Sequence, residues 1–339
     1  MTKTNSIIDL HKAFNTSEEI VFKLIRKATG QRPIYRNKIE KGYDNEVYEI
    51  ETIEGSFFVI KINHTEKNLL MTEQWAIEQV RSVGVPVSRI CNVDKFNYKG
   101  KSLEYMVLEM LPGKSIADVK ETLSEEQLST AYRNIGKILR LIHSVSVGGF
   151  SMHHDDGGWD YDSYDQSINS VITQISSNKN LFQKNGFTSE EFEEMVGHIE
   201  QLRDRFDCKL PVLCHGDFLE EHLFIDEEMS ITGVIDFGMC RGDHPIFDFA
   251  RMHADSRFNN MEDIIEGYGE HDMFQDDFNN RLFITSLSDQ METLLMYEDL
   301  GLKNEVKRVA DRLCKLFRSN QSEDVLLGEN PDEIRSHRG

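Results

Sequence analysis

The sequence predicts an α+β fold with two lobes, a small N-terminal lobe built on an antiparallel sheet and a large helical C-terminal lobe. The length of 339 residues is enough for two lobes with a cleft between them. Short segments rich in Ile, Val, Tyr and Phe fill the first third of the chain, and helical spacing of apolar residues dominates after residue 114. We therefore expect an N-terminal lobe over 1–111, a C-terminal lobe over 112–319 and a polar tail over 320–339.

The N-terminal lobe is expected to begin with a helix over 16–30, which Thr16 or Ser17 caps and Gly30 ends. Glycines at turn positions then separate segments with alternating apolar residues, as in an antiparallel meander. In chain order the predicted segments are strands near 33–39, 46–52 and 56–62, a helix over about 66–82, and strands near 88–95 and 102–110.

Pro112 and Gly113 interrupt this pattern, and the hinge between the lobes is expected there. Beyond them, two capping boxes predict helices, because a Ser or Thr is followed three residues later by Gln or Glu. The first box begins at Ser124 and predicts a helix through about residue 143, and the second begins at Thr188 and predicts one through about residue 206. The remaining predicted segments are a Gly- and Asp-rich loop over 148–165, short strands near 222–226 and 231–235, and helices over 245–319.

The composition argues against several classes of function. The formal charge is −21, and an acidic surface repels nucleic acids and anionic membranes but attracts cationic small molecules. The five cysteines include no Cys-x-x-Cys pair, which fits a reducing compartment better than a disulfide framework or a zinc site. No stretch approaches the roughly 20 apolar residues of a membrane span, and the N-terminus lacks the apolar stretch of a signal peptide. We expect a cytoplasmic protein without a nucleic-acid or membrane partner.

Two acidic side chains at the ends of neighbouring predicted strands carry the strongest functional signal. Asp217 follows one apolar strand in the run HGDFLEEHLFID, and Asp236 follows the next in the run GVIDFG. Strand ends hold side chains on rigid backbone, so both carboxylates are expected to point into one cleft. Phosphoryl transfer needs this layout, because one carboxylate accepts a hydrogen bond from the attacking hydroxyl and the other binds the magnesium that bridges the phosphates.

The run HGDFLEEHLFID…GVIDFG resembles the aminoglycoside phosphotransferase family, whose members are similar to protein kinases in fold. The resemblance covers about residues 33–300. It implies a protein-kinase-like bilobal fold, ATP or GTP with Mg²⁺ as cofactors, and a small hydroxylated, possibly cationic substrate. By position it implies Asp217 as the catalytic base, Asp236 as a magnesium ligand, and His215 and Asp248 as supports of the catalytic loop.

His222 is a departure from this pattern, because the family usually has a metal-binding Asn at that position. A neutral imidazole can ligate a divalent metal, although magnesium prefers hard oxygen ligands. The macrolide kinases of the family resemble this variant, so we predict His222 as a metal ligand and leave the metal preference open. The alternative is a histidine with its ring in solvent or hydrogen-bonded to Glu220 or Glu221.

A lysine inside an apolar strand supports the same function from the other lobe. Lys61 lies within the run FFVIKI, where a lone charge needs a partner. The alternative is a lysine whose amine reaches solvent from an edge strand. In kinases such a lysine contacts the α- and β-phosphates and pairs with a helix glutamate. Glu73 is the preferred partner, and Glu78 is the second choice.

Two further segments are expected to contact the nucleotide. The stretch 42–48 resembles the Gly-x-Asp-Asn-x-Val-Tyr turn of the family, which places Asn45 near the phosphates. An ordinary hairpin turn is the alternative. The stretch 108–113 resembles the interlobe hinge, where the carbonyl of Glu109 and the amide of Leu111 would bind an adenine edge. The alternative there is a plain linker between a strand and a helix.

The substrate is expected to bind on the helical lobe. The stretch 255–299 holds twelve acidic residues against Arg257 and Arg281, a balance that suits a polycationic aminosugar. The alternative, which we expect for most of them, is that they lie on exposed helix faces. Asp289 and Glu292 lie three residues apart, so they share a helix face and are the predicted substrate contacts. The loop over 148–165 resembles the substrate-side loop of hygromycin-type members, which favours an antibiotic kinase.

Two other histidine sites are predicted to have structural roles. His143 is expected to be a satisfied histidine at a helix end, and the run 153–156 is expected to be a solvated loop, because adjacent residues rarely all face one ion.

Three functions are therefore compared. The first is an aminoglycoside-type antibiotic kinase, and the second is another small-molecule kinase, acting on choline, a sugar, an amino alcohol or a macrolide. The third is a nucleotide-binding pseudokinase. Lys61, Asp217 and Asp236 are all present, which argues against the third.

Overall fold

The computed structural model describes residues 14–40, 45–64, 69–206, 208–255, 260–275 and 277–327. It confirms the predicted α+β fold, with an antiparallel sheet in the N-terminal part and helices through most of the C-terminal part. The turn residues 42–44, together with Arg257 and Asp276, lie outside the described residues.

The N-terminal lobe contains one antiparallel sheet. Its strands are β1 (Pro33–Ile39), β2 (Asn45–Thr52), β3 (Phe57–Asn63), β4 (Ile90–Tyr98) and β5 (Lys101–Glu109). They are arranged in the order β1-β2-β3-β5-β4, and every neighbouring pair is antiparallel. Helix α1 (Glu18–Thr29) buries Val21, Leu24 and Ile25 in the core of this lobe, and helix α2 (Leu69–Ser82) connects β3 to β4.

The C-terminal lobe is mostly helical. Its helices are α3 (Ile116–Val119), α4 (Glu125–Ile142), α5 (Tyr164–Ser177), α6 (Lys179–Lys184), α7 (Ser189–Glu200), α8 (Leu202–Arg205), α9 (Ile246–Asp255), α10 (Met261–Tyr268), α11 (Phe278–Asp299) and α12 (Lys303–Leu327). Both predicted capping boxes are present, Ser124 with Gln127 and Thr188 with Glu191. Among the helices of the described segments, none combines the length and apolar character needed to cross a bilayer.

The last helix runs further than the sequence predicted. A polar tail was expected from residue 320, but α12 continues to Leu327. Residues 328–339 of the expected tail lie outside the described residues.

Short strands join the helical lobe to the cleft. They are β6 (Lys114–Ser115), β7 (Phe150–His153), β8 (Trp159–Tyr161), β9 (Val212–Cys214), β10 (Leu223–Ile225), β11 (Ile231–Val234) and β12 (Arg241–Asp243). One sheet has the order β11-β10-β6, and the other has the order β8-β7-β12-β9. In the first sheet β6, which follows the interlobe hinge, pairs with β10.

The hinge packs closely on the C-terminal lobe. The hydroxyl of Thr232 donates to the carbonyl of Pro112 at 2.7 Å. Gly113 has a φ of +93°, and a Cβ there would lie 2.4 Å from the carbonyl oxygen of Ile225. Only glycine fits this position without moving β10.

The stretch 148–165 is a β-hairpin, whereas the sequence predicted a loop. Strands β7 and β8 pair through Phe150 with Tyr161 and through His153 with Trp159. In the run 153–156, residues 154–156 are exposed as expected, but the His153 ring stacks on Trp75 of α2 with ring centroids 4.0 Å apart. This contact joins residues far apart in sequence, so local composition did not reveal it.

Candidate active site

Strand β3 and helix α2 place an ion pair at the edge of the interlobe cleft. Nζ of Lys61 lies 2.6 Å from Oε1 of Glu73 and 2.9 Å from Oδ1 of Asp236. Lys61 and Glu73 are buried, whereas 42% of the Asp236 side chain is exposed. Glu78, the second choice, instead accepts a hydrogen bond from Gln74. Lys61 thus links the two lobes.

Lys61 and Asp236 keep their charges. Burial lowers the pKa of Lys61, but the carboxylates of Asp236 and Glu73 outweigh it and raise that pKa above its ordinary value. Burial raises the pKa of Asp236, but Lys61 and His222 outweigh it and lower that pKa below its ordinary value. The cleft therefore contains a fixed cation beside a partly exposed carboxylate.

His215 ties the loop that carries Asp217 to the strand end that precedes Asp236. The Asp217 amide donates to Nδ1 of His215 at 3.2 Å, so Nε2 is the protonated nitrogen and donates to the Ile235 carbonyl at 3.0 Å. Burial lowers the pKa of His215, in agreement with a neutral ring. The two acidic segments are thereby fixed relative to each other.

Backbone geometry brings the same two segments together. Gly216 has a φ of +78°, and a Cβ there would lie 1.9 Å from the carbonyl oxygen of Met239, so no other residue fits. Asp236 has a φ of 69°, in the left-handed region that costs a non-glycine residue about 1–3 kcal/mol. Strain of this kind is concentrated at functional sites.

Asp248 lies beneath the loop and is fully buried. It accepts hydrogen bonds from the amides of His215 and Gly216, both at 2.8 Å, and lies 3.0 Å from Nε2 of His143. Burial raises the pKa of Asp248, but these donors, His143 foremost, outweigh it and lower that pKa. His143 also contacts the hydroxyl of Tyr268 at 3.1 Å, so it is a satisfied buried histidine as expected.

His222 lies between the two acidic side chains. Its Nδ1 is 2.8 Å from the carbonyl oxygen of Asp217, and its Nε2 is 3.6 Å from Oδ2 of Asp236. Burial lowers the pKa of His222, but Asp217 and Asp236 outweigh it and raise that pKa. Glu220, one of its alternative partners, instead binds Tyr132 at 2.6 Å and Lys120 at 2.7 Å.

A family model described as the phosphotransferase enzyme family matches residues 36–277. The chain belongs to this family. The predicted family is therefore confirmed.

Solved structures of low sequence identity share the fold of this phosphotransferase. Aminoglycoside phosphotransferase APH(4)-Ia aligns with a TM-score of 0.69 at 15% identity, over 90% of this chain and 99% of that chain. The GDP complex of aminoglycoside 2'-phosphotransferase-IIIa aligns with a TM-score of 0.67 at 13% identity, over 90% of this chain and 100% of that chain. These alignments confirm the predicted protein-kinase-like fold.

Sequence reasoning missed Arg251 of the phosphotransferase. This residue of α9 donates from Nη2 to Oδ1 of Asp217 at 3.2 Å and from Nη1 to Oδ1 of Asp289 at 3.1 Å. A signal was present, because Arg251 is a lone cation in the apolar run IFDFARM, the same pattern that identified Lys61.

Asp289 is nearly buried and already paired with a cation, which argues against the predicted substrate contact. It is only 5% exposed, and it is bound by Arg251 and by Nε2 of Gln290 at 2.8 Å. A carboxylate that is already paired with a buried arginine is a poor receptor for a substrate ammonium group. The sequence showed the helix face that Asp289 shares with Glu292, but not the arginine opposite.

Glu292 keeps its place as a predicted substrate contact. It lines a narrow cavity with Tyr164, Ser288, Arg241 and Asp243. Burial, with Asp289 and Asp243, raises the pKa of Glu292 to about 7, although Arg241 opposes the shift. This carboxyl group can therefore be neutral or charged near neutral pH.

Two of the predicted nucleotide contacts lie at strand ends, Asn45 at the start of β2 and Glu109 at the end of β5. Asn45 opens β2, and its Oδ1 is buried without a hydrogen-bond partner in the described part of the chain. The Glu109 carboxylate pairs with Arg89. The side chain of Leu111 packs against Gly233 and fills the space that a Cβ atom at that glycine would need. Among the backbone hydrogen bonds of the described residues, none uses the Leu111 amide.

Proposed function

We propose that this phosphotransferase is a small-molecule kinase that transfers the γ-phosphate of ATP or GTP to a hydroxyl group. The observation that carries the proposal is the convergence of Lys61, Asp217 and Asp236 in one interlobe cleft. The structural relatives support it. One is a complex of APH(4)-Ia with AMP-PNP and hygromycin B, with a TM-score of 0.69 at 17% identity, over 88% of this chain and 98% of that chain. Another is a GDP complex.

Asp217 acts as the base in this proposal. Its carboxylate accepts the proton of the acceptor hydroxyl as the hydroxyl oxygen forms a bond to the γ-phosphorus. The bond from that phosphorus to the β–γ bridging oxygen breaks, and the products are a phosphate monoester and a nucleoside diphosphate. His215, Gly216 and Asp248 hold the loop, so Asp217 needs little reorganisation.

Lys61 binds the α- and β-phosphates, and Glu73 orients its ammonium group. Both side chains are buried, which makes the ammonium group a rigid donor. Asn45 lies at the start of the neighbouring strand β2, and within the described residues its buried Oδ1 has no hydrogen-bond partner, so we assign it to the phosphate side of the nucleotide. At the hinge, the Leu111 amide and the Glu109 carbonyl are assigned to the purine edge.

The donor set fits a divalent cation. The exposed part of the Asp236 carboxylate supplies an oxygen ligand, and Nε2 of His222 is free to ligate if Nδ1 donates to the Asp217 carbonyl. A bound divalent cation would neutralise charge on the β- and γ-phosphates. The imidazole nitrogen of His222 is not one of the hard oxygen ligands that Mg²⁺ prefers, so Mn²⁺ belongs in the assay beside Mg²⁺.

The acceptor is assigned first to aminoglycoside-type antibiotics, because hygromycin B and kanamycin are the ligands named in the complexes of the structural relatives. Choline, sugars, amino alcohols and macrolides are the alternative acceptors. The pairing of Asp289 with Arg251 removes one reason to prefer a polycation.

A panel assay tests the function. The protein is incubated with ATP or GTP, with Mg²⁺ or Mn²⁺, and with each acceptor class, and nucleoside diphosphate release is measured above a control without acceptor. We expect acceptor-dependent release with one class, together with a phosphorylated acceptor by mass spectrometry. Nucleotide binding without turnover on every acceptor would instead favour the pseudokinase.

A further inference from the structure

The guanidinium group of Arg251 bridges the proposed base and the acceptor-side helix α11. Its Nε and Nη2 lie 3.4 Å and 3.2 Å from Oδ1 of Asp217. Its Nη1 lies 3.1 Å and 3.2 Å from the two carboxylate oxygens of Asp289, and 2.9 Å from the hydroxyl of Thr293. One side chain thus contacts two carboxylates that would otherwise repel each other.

The contact is confined to one oxygen of Asp217. Oδ1 receives both Arg251 donors, whereas Oδ2 lies 3.6 Å from Nδ1 of His222, on the side of Asp236. Binding one oxygen in this way fixes the rotation of the carboxylate. The other oxygen then stays directed toward the metal and phosphate side of the cleft.

We propose that Arg251 is a positioning residue of the transfer reaction, which holds Asp217 with Oδ2 on the phosphate side of the cleft, where it can take the proton of the hydroxyl that attacks the γ-phosphate. Asp289 and Thr293 hold Arg251 in turn, so α11 sets the orientation of the base. The inference rests on the proposed function, in which Asp217 is the base. It gives Asp289 a role through Arg251 rather than through the substrate.

The chemistry of the site favours an arginine in this role. A guanidinium group has donors on separate nitrogens in a rigid plane, so it can bind Asp217 and Asp289 along different edges. A lysine at 251 would supply a single ammonium group on a flexible stem and would not fix the rotation of Asp217. Arg251 is mostly buried, with 15% of its side chain exposed, which limits its own motion.

The first experiment measures kinetics of Arg251→Ala and Arg251→Lys on the acceptor found in the panel. We expect kcat to fall about 10²-fold in Arg251→Ala, the loss typical of a misplaced catalytic group. The KM for nucleotide should stay unchanged, and Arg251→Lys should recover only part of kcat. Guanidinium at low millimolar concentration should restore turnover to Arg251→Ala, whereas urea at the same concentration should not.

Arg312→Ala is the matched control, because Arg312 of α12 is a partly buried arginine that pairs with Asp255 of the same helix α9 at 2.6 Å. It should keep wild-type kcat and show no response to guanidinium. Wild-type kcat in Arg251→Ala, or an equal loss in Arg312→Ala, would overturn the proposal.

A second experiment is independent of turnover. The Tm of wild type, Arg251→Ala, Asp217→Asn and the double variant is measured without nucleotide. Removing the Asp217 charge should raise Tm more in the Arg251→Ala protein than in wild type, because that protein has two neighbouring carboxylates, partly buried Asp217 and buried Asp289, without their shared cation. Equal shifts in both backgrounds would overturn the inference, even if the panel assay had already ruled out a kinase.

Discussion

Glu46 shows how one buried carboxylate can fasten a segment of the chain. It lies on the buried face of β2 and accepts hydrogen bonds from the amide and hydroxyl of Thr16, at 2.8 Å and 2.6 Å. The hydroxyl of Tyr48 at 2.6 Å and Nε2 of His64 at 2.8 Å complete the group. Glu46 therefore attaches the residues that precede α1 to the strand that carries Asn45.

The Glu46 network predicts an acid-sensitive part of the stability. Burial raises the pKa of Glu46, but His64, Thr16 and Tyr48 outweigh it and lower that pKa to about 2. This shift in pKa corresponds to about 3 kcal/mol of folding stability. That stability is fully present when the pH is above the ordinary pKa of glutamate, and it is lost as the pH falls toward 2. We expect Glu46→Gln to lower the free energy of unfolding by about 2–3 kcal/mol at pH 7, with a smaller difference at pH 3.

The measurement is urea unfolding at both pH values. Glu49→Gln is the matched control, because Glu49 is on the same strand but is only partly buried. A Glu46→Gln variant as stable as Glu49→Gln at pH 7 would contradict this account of the network.

Individual residues differ in how far the sequence revealed them. Asp217 and Asp236 were predictable because each follows an apolar strand and the spacing between them matches the family motif. Lys61 was predictable because it is the one cation within an apolar strand. Arg251 was also a lone cation in a largely apolar run, but its partner Asp289 lies on another helix. Only the tertiary structure shows that these two charges neutralise each other.

At the scale of elements, helix α2 is braced by the β7–β8 hairpin. Trp75 lies two residues after Glu73, stacks on His153, and meets Trp159 edge-on at 5.6 Å. The hydroxyl of Thr72 donates to the His153 carbonyl at 3.0 Å. The hairpin thus holds the helix that supplies the partner of Lys61. Local patterns predicted the capped helices, but this brace depends on contacts between distant segments.

The brace predicts a link between the hairpin and nucleotide binding. Trp159→Leu should loosen α2 and weaken nucleotide binding about fivefold, the equivalent of one lost aromatic pair. The sequence has only two tryptophans, so the variant leaves Trp75 as the single emitter. Acrylamide should quench the fluorescence of Trp75 more strongly in this variant than in wild type, because the indole ring becomes more exposed.

His154→Ala is the control for this prediction, because His154 lies in the same hairpin but is about half exposed, at 47% of its side chain. It should leave both nucleotide affinity and quenching unchanged. Unaltered nucleotide affinity in Trp159→Leu would show that the hairpin does not support Glu73.

At the scale of the whole molecule, the net charge of −21 is a weak guide to the acceptor. Most acidic side chains of the stretch 255–299 lie on exposed surfaces, namely Glu262, Glu266, Glu270, Asp272, Asp277, Glu298 and Asp299. Asp263 is buried and pairs with Arg133 at 2.9 Å. The sequence predicted the two lobes and the cleft between them, but a count of charges could not separate surface from site.

In the proposed reaction, the cleft joins a nucleotide bound by one lobe to a base supplied by the other. ³¹P NMR of the protein with nucleotide, divalent cation and the acceptor from the panel follows this transfer directly. Wild type should convert the γ-phosphate signal into a phosphate monoester signal. Asp217→Asn should slow this conversion by about 10²–10⁴-fold, the usual contribution of a general base, while its nucleotide affinity stays unchanged. A monoester signal that grows at the wild-type rate in Asp217→Asn would contradict the account.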